Sequence, residues 1–220
     1  MRKRHLEMAL SNLPALEGPD PALEQYATPV EISSNILWSA LENGDILDRT
    51  VLELGCGGGP FALGALMLGA SSAAGIDIDP RCIELAERNL HDLVRAGLIA
   101  DPESCSFMLG DAGDTGTGIP DADTVFMNPP FGAQTRHADR DFIRTACRKG
   151  SVIYSIHNGG TGKFVRSEFE RNGAASIEMT SSLMPIPHMF HFHSHERTSI
   201  DILLVRVTMC DPSTTCDHPP

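Results

Sequence analysis

Lysine is nearly absent from the chain: Lys3, Lys149 and Lys163 are the only three in 220 residues, and 17 basic residues face 29 acidic ones for a net charge of −12. That balance excludes a general basic coat for nucleic acid. Any such contact has to be local or shared with a partner, unless the protein works in high salt, where counterion-release binding is weak and stacking and shape carry recognition. No apolar run approaches the roughly 20 residues of a membrane-spanning helix, and Met1-Arg2-Lys3-Arg4-His5 leads into a polar amphipathic stretch rather than a signal-peptide core. The expectation is a cytoplasmic protein with no membrane partner. The six cysteines (Cys56, Cys82, Cys105, Cys147, Cys210, Cys216) lack paired C-x-x-C spacing and read as free thiols in a reducing compartment. Internal repeats and low-complexity tracts are missing as well. What remains, 41% hydrophobic and 21% charged, is ordinary for one globular domain.

Leu6, Leu10 and Leu13 recur at helical spacing and predict a short amphipathic helix broken at Pro14. A second helical pattern (Ile32, Ile36, Leu37, Ala40, Leu41) ends near Asn43-Gly44. Thr28 to Glu31 is predicted to open it as a capping box, with Pro29 in the first helical position. From Arg49 onward strands and helices alternate. Strands are predicted at 50–54, 73–76, 104–109, 123–127 and 151–156, and helices at 60–68, 80–96, 138–147 and 162–171. Two strand patterns, 174–184 and 199–207, close the chain without a helix between them. The order predicts an α/β fold whose seven-stranded sheet is mostly parallel with one antiparallel edge strand. The tail after Met209 is predicted to be disordered.

Between the first strand and its helix lies Glu53-Leu54-Gly55-Cys56-Gly57-Gly58-Gly59-Pro60. Glycines there let the backbone turn tightly and approach a ligand where a β-carbon would clash. The third glycine of a dinucleotide fingerprint falls on Pro60, which disfavours NAD and favours the E/D-x-G-x-G-x-G loop used for S-adenosylmethionine. Asp77, at the end of the next strand, is placed to accept both ribose hydroxyls, and Asp111, after the third, to accept from the adenine amino group. Glu53 suits contact with the methionine amino group. Asp79 reads as the N-cap of the helix opening at Pro80 rather than as a ligand.

The stretch Met127-Asn128-Pro129-Pro130-Phe131-Gly132 stands where a buried strand ends, because proline donates no ladder hydrogen bond. In open α/β sheets the crevice beyond such ends binds ligands. An exocyclic amine on an aromatic ring is a poor nucleophile because its lone pair is delocalised. Asn128 Oδ1 and the Pro129 carbonyl can accept its two hydrogens and turn the lone pair toward a methyl group. Pro130 stiffens the backbone and Phe131 stacks on the flat ring, a contact worth about 1–3 kcal/mol. The sulfonium supplies the driving force, so the protein supplies mainly alignment and desolvation.

Taken together, Leu23-Glu24-Gln25-Tyr26-Ala27-Thr28-Pro29, the glycine loop, Gly75-Ile76-Asp77-Ile78-Asp79, Gly110-Asp111, Asn128-Pro129-Pro130-Phe131-Gly132 and Tyr154-Ser155-Ile156-His157 resemble methyltransferase-like protein five and its archaeal relatives over about residues 1 to 208. The resemblance implies a Rossmann-like class I S-adenosylmethionine-dependent methyltransferase. Its implied activity is N6-methylation of one adenosine in small-subunit ribosomal RNA, in a heterodimer with a small zinc-binding activator. It also implies cofactor contacts at Gln25, Thr28, Gly55, Gly58, Pro60, Asp77 and Asp111, to which the glycine loop adds Glu53, Cys56 and Gly57, and target-adenine contacts at Asn128, Pro129, Pro130 and Phe131. The chain then divides into an N-terminal helical extension and cofactor lid (1–48), a methyltransferase domain (49–209) and a tail (210–220). Glu53 stands where the family often has Asp, and Pro60 where a small aliphatic residue is common.

His191, His193 and His195 would share one face of a strand, but no cysteine or carboxylate partner stands at ligand spacing, so a surface loop is the better reading and no metal is expected. Arg136, His137, Arg140, Arg144, Arg148 and Lys149 form either a phosphate contact or a solvated helix face balanced by Asp139 and Asp141. His157 reads as structural. A glutamine amide in a protein presents the same conjugated NH2 group, and a DNA base offers it too, but neither a substrate-recognition nor a target-recognition domain is visible. A non-catalytic ribosome-assembly module would not need Asn128 and Asp77.

Overall fold

The computed structural model describes residues 1–113, 118–131, 139–185 and 199–210. Gly132, Arg136, His137, the three-histidine segment, Cys216 and the rest of the tail beyond Cys210 therefore lie outside the described residues. Seven strands form one sheet in the order β3-β2-β1-β4-β5-β7-β6, with β1 Thr50–Leu54, β2 Ser72–Asp77, β3 Cys105–Leu109, β4 Ala122–Met127, β5 Gly150–Asn158, β6 Ala174–Pro185 and β7 Ser199–Met209. Strands β1 to β5 run parallel. The antiparallel strand is β7, which pairs with β5 on one side and with β6, the outermost strand, on the other. β7 is next after β6 in the chain and pairs with it antiparallel.

The chain runs outward from β1 through β2 to β3 and then returns to the other side of β1 as β4. The crevice of a doubly wound sheet opens at that reversal, between β1 and β4. Their register sets Leu54 opposite Met127, so Gly55 and Asn128 leave the sheet side by side.

Strand alternation divides the core. Val51, Phe126, Tyr154 and Ile156 face α1 Lys3–Ser11, α2 Val30–Glu42 and α3 Pro60–Met67, together with Leu90 and Leu93 of α4 Pro80–Arg95. Leu52, Leu54, Val125, Met127 and Ile153 face α5 Asp139–Lys149 and α6 Gly162–Arg171. The N-terminal helices thus belong to the main core: Leu6 and Leu37 are fully buried in the same cluster as Phe61. Phe126 stacks between Phe61 at 5.2 Å and Tyr154 at 5.3 Å. Tyr154 donates its hydroxyl to Asp45 Oδ2 at 2.6 Å and accepts from Asn43 and Arg206, closing the loop after α2 onto β5 and β7. Burial and Asp45 push its phenol up to about 12.

Ser155 and His157 point to the opposite face. His157 Nδ1 lies 3.3 Å from Asp139 Oδ2 and Nε2 lies 3.0 Å from Ser155 Oγ. The histidine is structural, as predicted, and it pins the first turn of α5. Asp139 therefore does not balance the arginines of α5. Arg144 pairs with Asp141, Arg140 with Glu168 and Lys149 with Asp121, which favours a paired helix face over a phosphate contact for these three. Cys56, Cys82, Cys105 and Cys147 carry free thiols, whereas Cys210 is disulfide-bonded, a departure from the free thiols expected throughout.

Candidate active site

The glycine loop rises from β1 in a conformation that side chains resist. Gly57 has φ +51° and Gly59 φ +79°; a β-carbon at Gly59 would lie 2.9 Å from the Phe107 ring. At Gly57 the same β-carbon would meet none of the described residues within 4 Å. Space for a ligand therefore opens on that side of the loop.

Three side chains hold the loop. Asp77 accepts from Gly57 N through Oδ2 at 2.8 Å and from Asp79 N through Oδ1 at 3.0 Å, and its carboxylate also bonds the Cys82 thiol, which still leaves acceptor capacity for a ribose hydroxyl. Glu53 reaches under the loop to α3, accepting from Phe61 N at 3.2 Å and Ala62 N at 2.8 Å. Both its oxygens are thus engaged with the helix N-terminus and the residue is buried, so the described contacts give it the role of supporting the loop instead of facing the methionine amino group. Burial, reinforced by the nearby Asp77 charge, pushes its carboxyl up to about 8 against the two N–H groups that favour the charged form.

Asn89 of α4 is the third support, and the sequence reading missed it. Its Nδ2 donates to Gly58 O at 2.9 Å, and the side chain is 1% exposed. Its signal was available: an amide among Leu85, Ala86, Leu90 and Leu93 on the buried stripe of an otherwise amphipathic helix. Cys56 keeps its thiol buried, donating to Gly57 O at 3.8 Å and pushed well above the usual range by that burial, and its N–H donates to Ile76 O. Pro60 occupies the first turn of α3.

The N-terminal segment arches over the same strand ends. Gln25 Nε2 donates to Asp79 Oδ2 at 2.9 Å, and its Oε1 accepts from Asp20 N. Asp79 caps α4 as predicted, accepting from Arg81 N, and the Arg81 guanidinium holds its carboxyl well below the usual range. Thr28 does not form the expected capping box: α2 starts at Val30, Pro29 stands at its N-cap, and no side chain caps it. Its hydroxyl instead accepts from Asn128 Nδ2 at 3.0 Å. A tertiary partner 100 residues away has displaced the local one.

Asn128 Oδ1 is shielded from solvent and has no hydrogen-bond partner among the described residues. Pro129 is buried, Pro130 half-buried, and Phe131 packs against the α1–α3 side of the core. Asp111 follows β3 and accepts from Gly113 N at 2.8 Å. The structure thus brings Gln25, Thr28, the loop, Asp77 and Asn128 together at the ends of β2, β1 and β4. A spare acidic acceptor, a left-handed glycine cradle and open space beside it fit an adenosyl cofactor. An orphaned amide oxygen one strand away fits a donor group held next to it.

The family model of ribosomal protein L11 methyltransferase (PrmA) matches residues 35–95, which include the glycine loop and Asp77 and stop short of Asn128. The crystal structure of PH1948 from Pyrococcus horikoshii superposes with a TM-score of 0.81 at 30% identity, covering 94% of this chain and 98% of that one. MJ0284 of Methanocaldococcus jannaschii is 35% identical over 214 residues, 94% of each chain. The rRNA N(6)-adenosine-methyltransferase METTL5 of Danio rerio is 28% identical over 213 residues, 94% of this chain and 99% of its own. On these matches and this architecture, the chain belongs to the methyltransferase-like protein five (METTL5-like) family and is a class I S-adenosylmethionine-dependent methyltransferase.

Proposed function

We propose that the protein transfers the methyl group of S-adenosylmethionine to the exocyclic N6 amine of one adenosine in small-subunit ribosomal RNA. The observation that carries this reading is the Asn128 amide, whose buried Oδ1 has no partner among the described residues at the end of β4 beside the cofactor loop. An unpaired buried acceptor costs about 1–3 kcal/mol, and a target N–H offsets that cost. The METTL5 proteins that match nearly the whole chain support adenosine in RNA as the source of the amine.

When bound, the sulfonium supplies an electrophilic methyl group. Asp77 and Asp111 accept from the ribose and adenine of the cofactor, and Gly55, Cys56, Gly57, Gly58 and Pro60 shape its cradle through the backbone. Glu53 and Gln25 hold that cradle in place. Asn128 Oδ1 and the Pro129 carbonyl accept the hydrogens of the target amine, Pro130 fixes the backbone between them, and Phe131 stacks on the base. The amine nitrogen would take the methyl group of the sulfonium bound there, the S–C bond breaking as the N–C bond forms, and the surplus proton would leave for solvent.

Tritium transfer to hypomethylated small-subunit ribosomal RNA by wild type and Asn128→Ala tests the reading, with the labelled nucleoside identified after digestion. Label in N6-methyladenosine for wild type and none for the variant is the expected outcome. Equal incorporation by both proteins sinks it.

A small zinc-binding activator subunit belongs to the same proposal. Open sheet edges invite pairing, and the β3 edge ends in Leu109, 62% exposed, near Ile78, 54% exposed. A purified chain that is monodisperse and fully active alone would remove the activator from the proposal.

A further inference from the structure

The amide of Asn128 can serve the proposed reaction in only one of its two orientations. A target amine needs Oδ1, an acceptor, facing it; turned over, the amide presents Nδ2, a donor, to another donor. The terminal torsion of asparagine is broad and two-fold, so the side chain does not choose by itself. A hydroxyl can accept from Nδ2 or donate to Oδ1; in the arrangement seen here it accepts from Nδ2, which leaves Oδ1 to the amine.

The residue that touches the amide is Thr28, whose Oγ1 lies 3.0 Å from Nδ2. Thr28 does not cap α2, which has no side-chain cap. Its place is fixed from the other side as well. Gln25, three residues earlier, is bound to Asp79 at the end of β2, while Thr28 is bound to Asn128 at the end of β4. β1 lies between those strands, so the segment bridges across it, anchored by a side chain at each end.

We propose that Thr28 is a positioning residue for the acceptor chemistry: its hydroxyl holds Nδ2 of Asn128 so that Oδ1 faces the target amine. This rests on the reading of Asn128 as the acceptor of an amine hydrogen. It departs from the cofactor contact that the family likeness implies for Thr28, and the two roles separate in kinetics.

The test compares Thr28→Val, which keeps the shape and removes the hydroxyl, with Thr28→Ser, which restores it. With hypomethylated small-subunit ribosomal RNA as substrate, Thr28→Val lowers kcat by about 10- to 100-fold. The KM for RNA and the calorimetric Kd for S-adenosylmethionine stay within about threefold, and Thr28→Ser regains most of kcat. Thr28→Val with weakened cofactor binding and wild-type kcat at saturation overturns the proposal and returns Thr28 to the cofactor. A second readout needs no RNA. In ¹⁵N-labelled protein the side-chain NH2 resonance of Asn128, identified by its loss in Asn128→Ala, shifts in Thr28→Val and returns in Thr28→Ser; a resonance that ignores Thr28→Val overturns the proposal. Wild type that methylates no RNA overturns the substrate alone, and the resonance then decides the hydroxyl–amide link.

Discussion

Gln25 Nε2 donates to Asp79 Oδ2 over 2.9 Å, joining a segment ahead of the fold to the residue that caps α4. Arg81 reinforces the link by donating to the Gly18 carbonyl, so the segment is attached to α4 at two points. A hydrogen bond to a charged group contributes about 1.5–3 kcal/mol, here to holding down a segment that can open locally while the rest of the fold stays closed. Gln25→Ala should therefore loosen that segment over the cofactor crevice, raising the Kd for S-adenosylmethionine by about tenfold while shifting global stability by less than about 1 kcal/mol. Calorimetric titration and urea unfolding check the pair of outcomes. A large stability loss with unchanged Kd would show the contact to be part of the core.

Glu53 makes the stability of the protein depend on pH in an uncommon direction. Its carboxyl is raised from 4.5 unfolded to about 8 folded, so between those values the folded state holds a proton that the unfolded state has lost. Stability contributed by the group is complete below about 4.5 and falls as pH rises to about 8, by up to about 1.4 kcal/mol per pH unit. Glu53→Gln keeps an acceptor for one helix N–H and removes the titration. Urea unfolding from pH 5 to 8.5 should show wild type losing ground to the variant as pH rises. A difference that stays constant across that range counts against a protonated Glu53.

How much of this was legible in the sequence depended on whether the deciding contacts were local. The strands and helices from Thr50 to Met127 were, because buried strands are short apolar runs and amphipathic helices repeat every three to four residues. Thr28 was not: Thr-Pro-x-Glu matches a capping box, and only the fold brings Asn128 to compete for the hydroxyl. Glu53 lies between the two. Its neighbours Leu52 and Leu54 face α5 and α6, so strand alternation alone sends Glu53 to the side where α3 begins. The side-chain direction was readable, but not the helix N–H groups that would occupy it. For β7, the hairpin order predicted its direction, and the pairing with β5 that places it inside the sheet is a long-range choice.

Asn89 tests whether the glycine loop needs support from α4. Removing its amide strands the Gly58 carbonyl, which no other described side chain is seen to reach, and opens a cavity beside Leu85, the neighbour that a β-carbon at Gly58 would meet at 3.3 Å. Asn89→Ala should cost about 1–3 kcal/mol of stability and weaken S-adenosylmethionine binding, with kcat at saturating cofactor little changed. Intact cofactor affinity in this variant would mean that the loop holds its shape through backbone geometry alone.

The pair His157–Asp139 makes the corresponding prediction on the acceptor side. Asp139 opens α5, which follows the Asn-Pro-Pro-Phe stretch, and His157 holds it from β5 with Ser155 on its other nitrogen. If Nδ1–H donates to Asp139, Nε2 accepts from the serine hydroxyl, and a neutral ring satisfies both partners. Asp139→Ala leaves a buried imidazole donor unpaired and frees the first turn of the helix. The expected result is a loss of about 1–3 kcal/mol together with a lower kcat on RNA and a cofactor Kd within about threefold of wild type. Asp139→Asn, which still accepts from Nδ1–H, should recover most of both. Failure of the asparagine variant to recover either would mean that the carboxylate charge, and not the hydrogen bond, orders the start of α5.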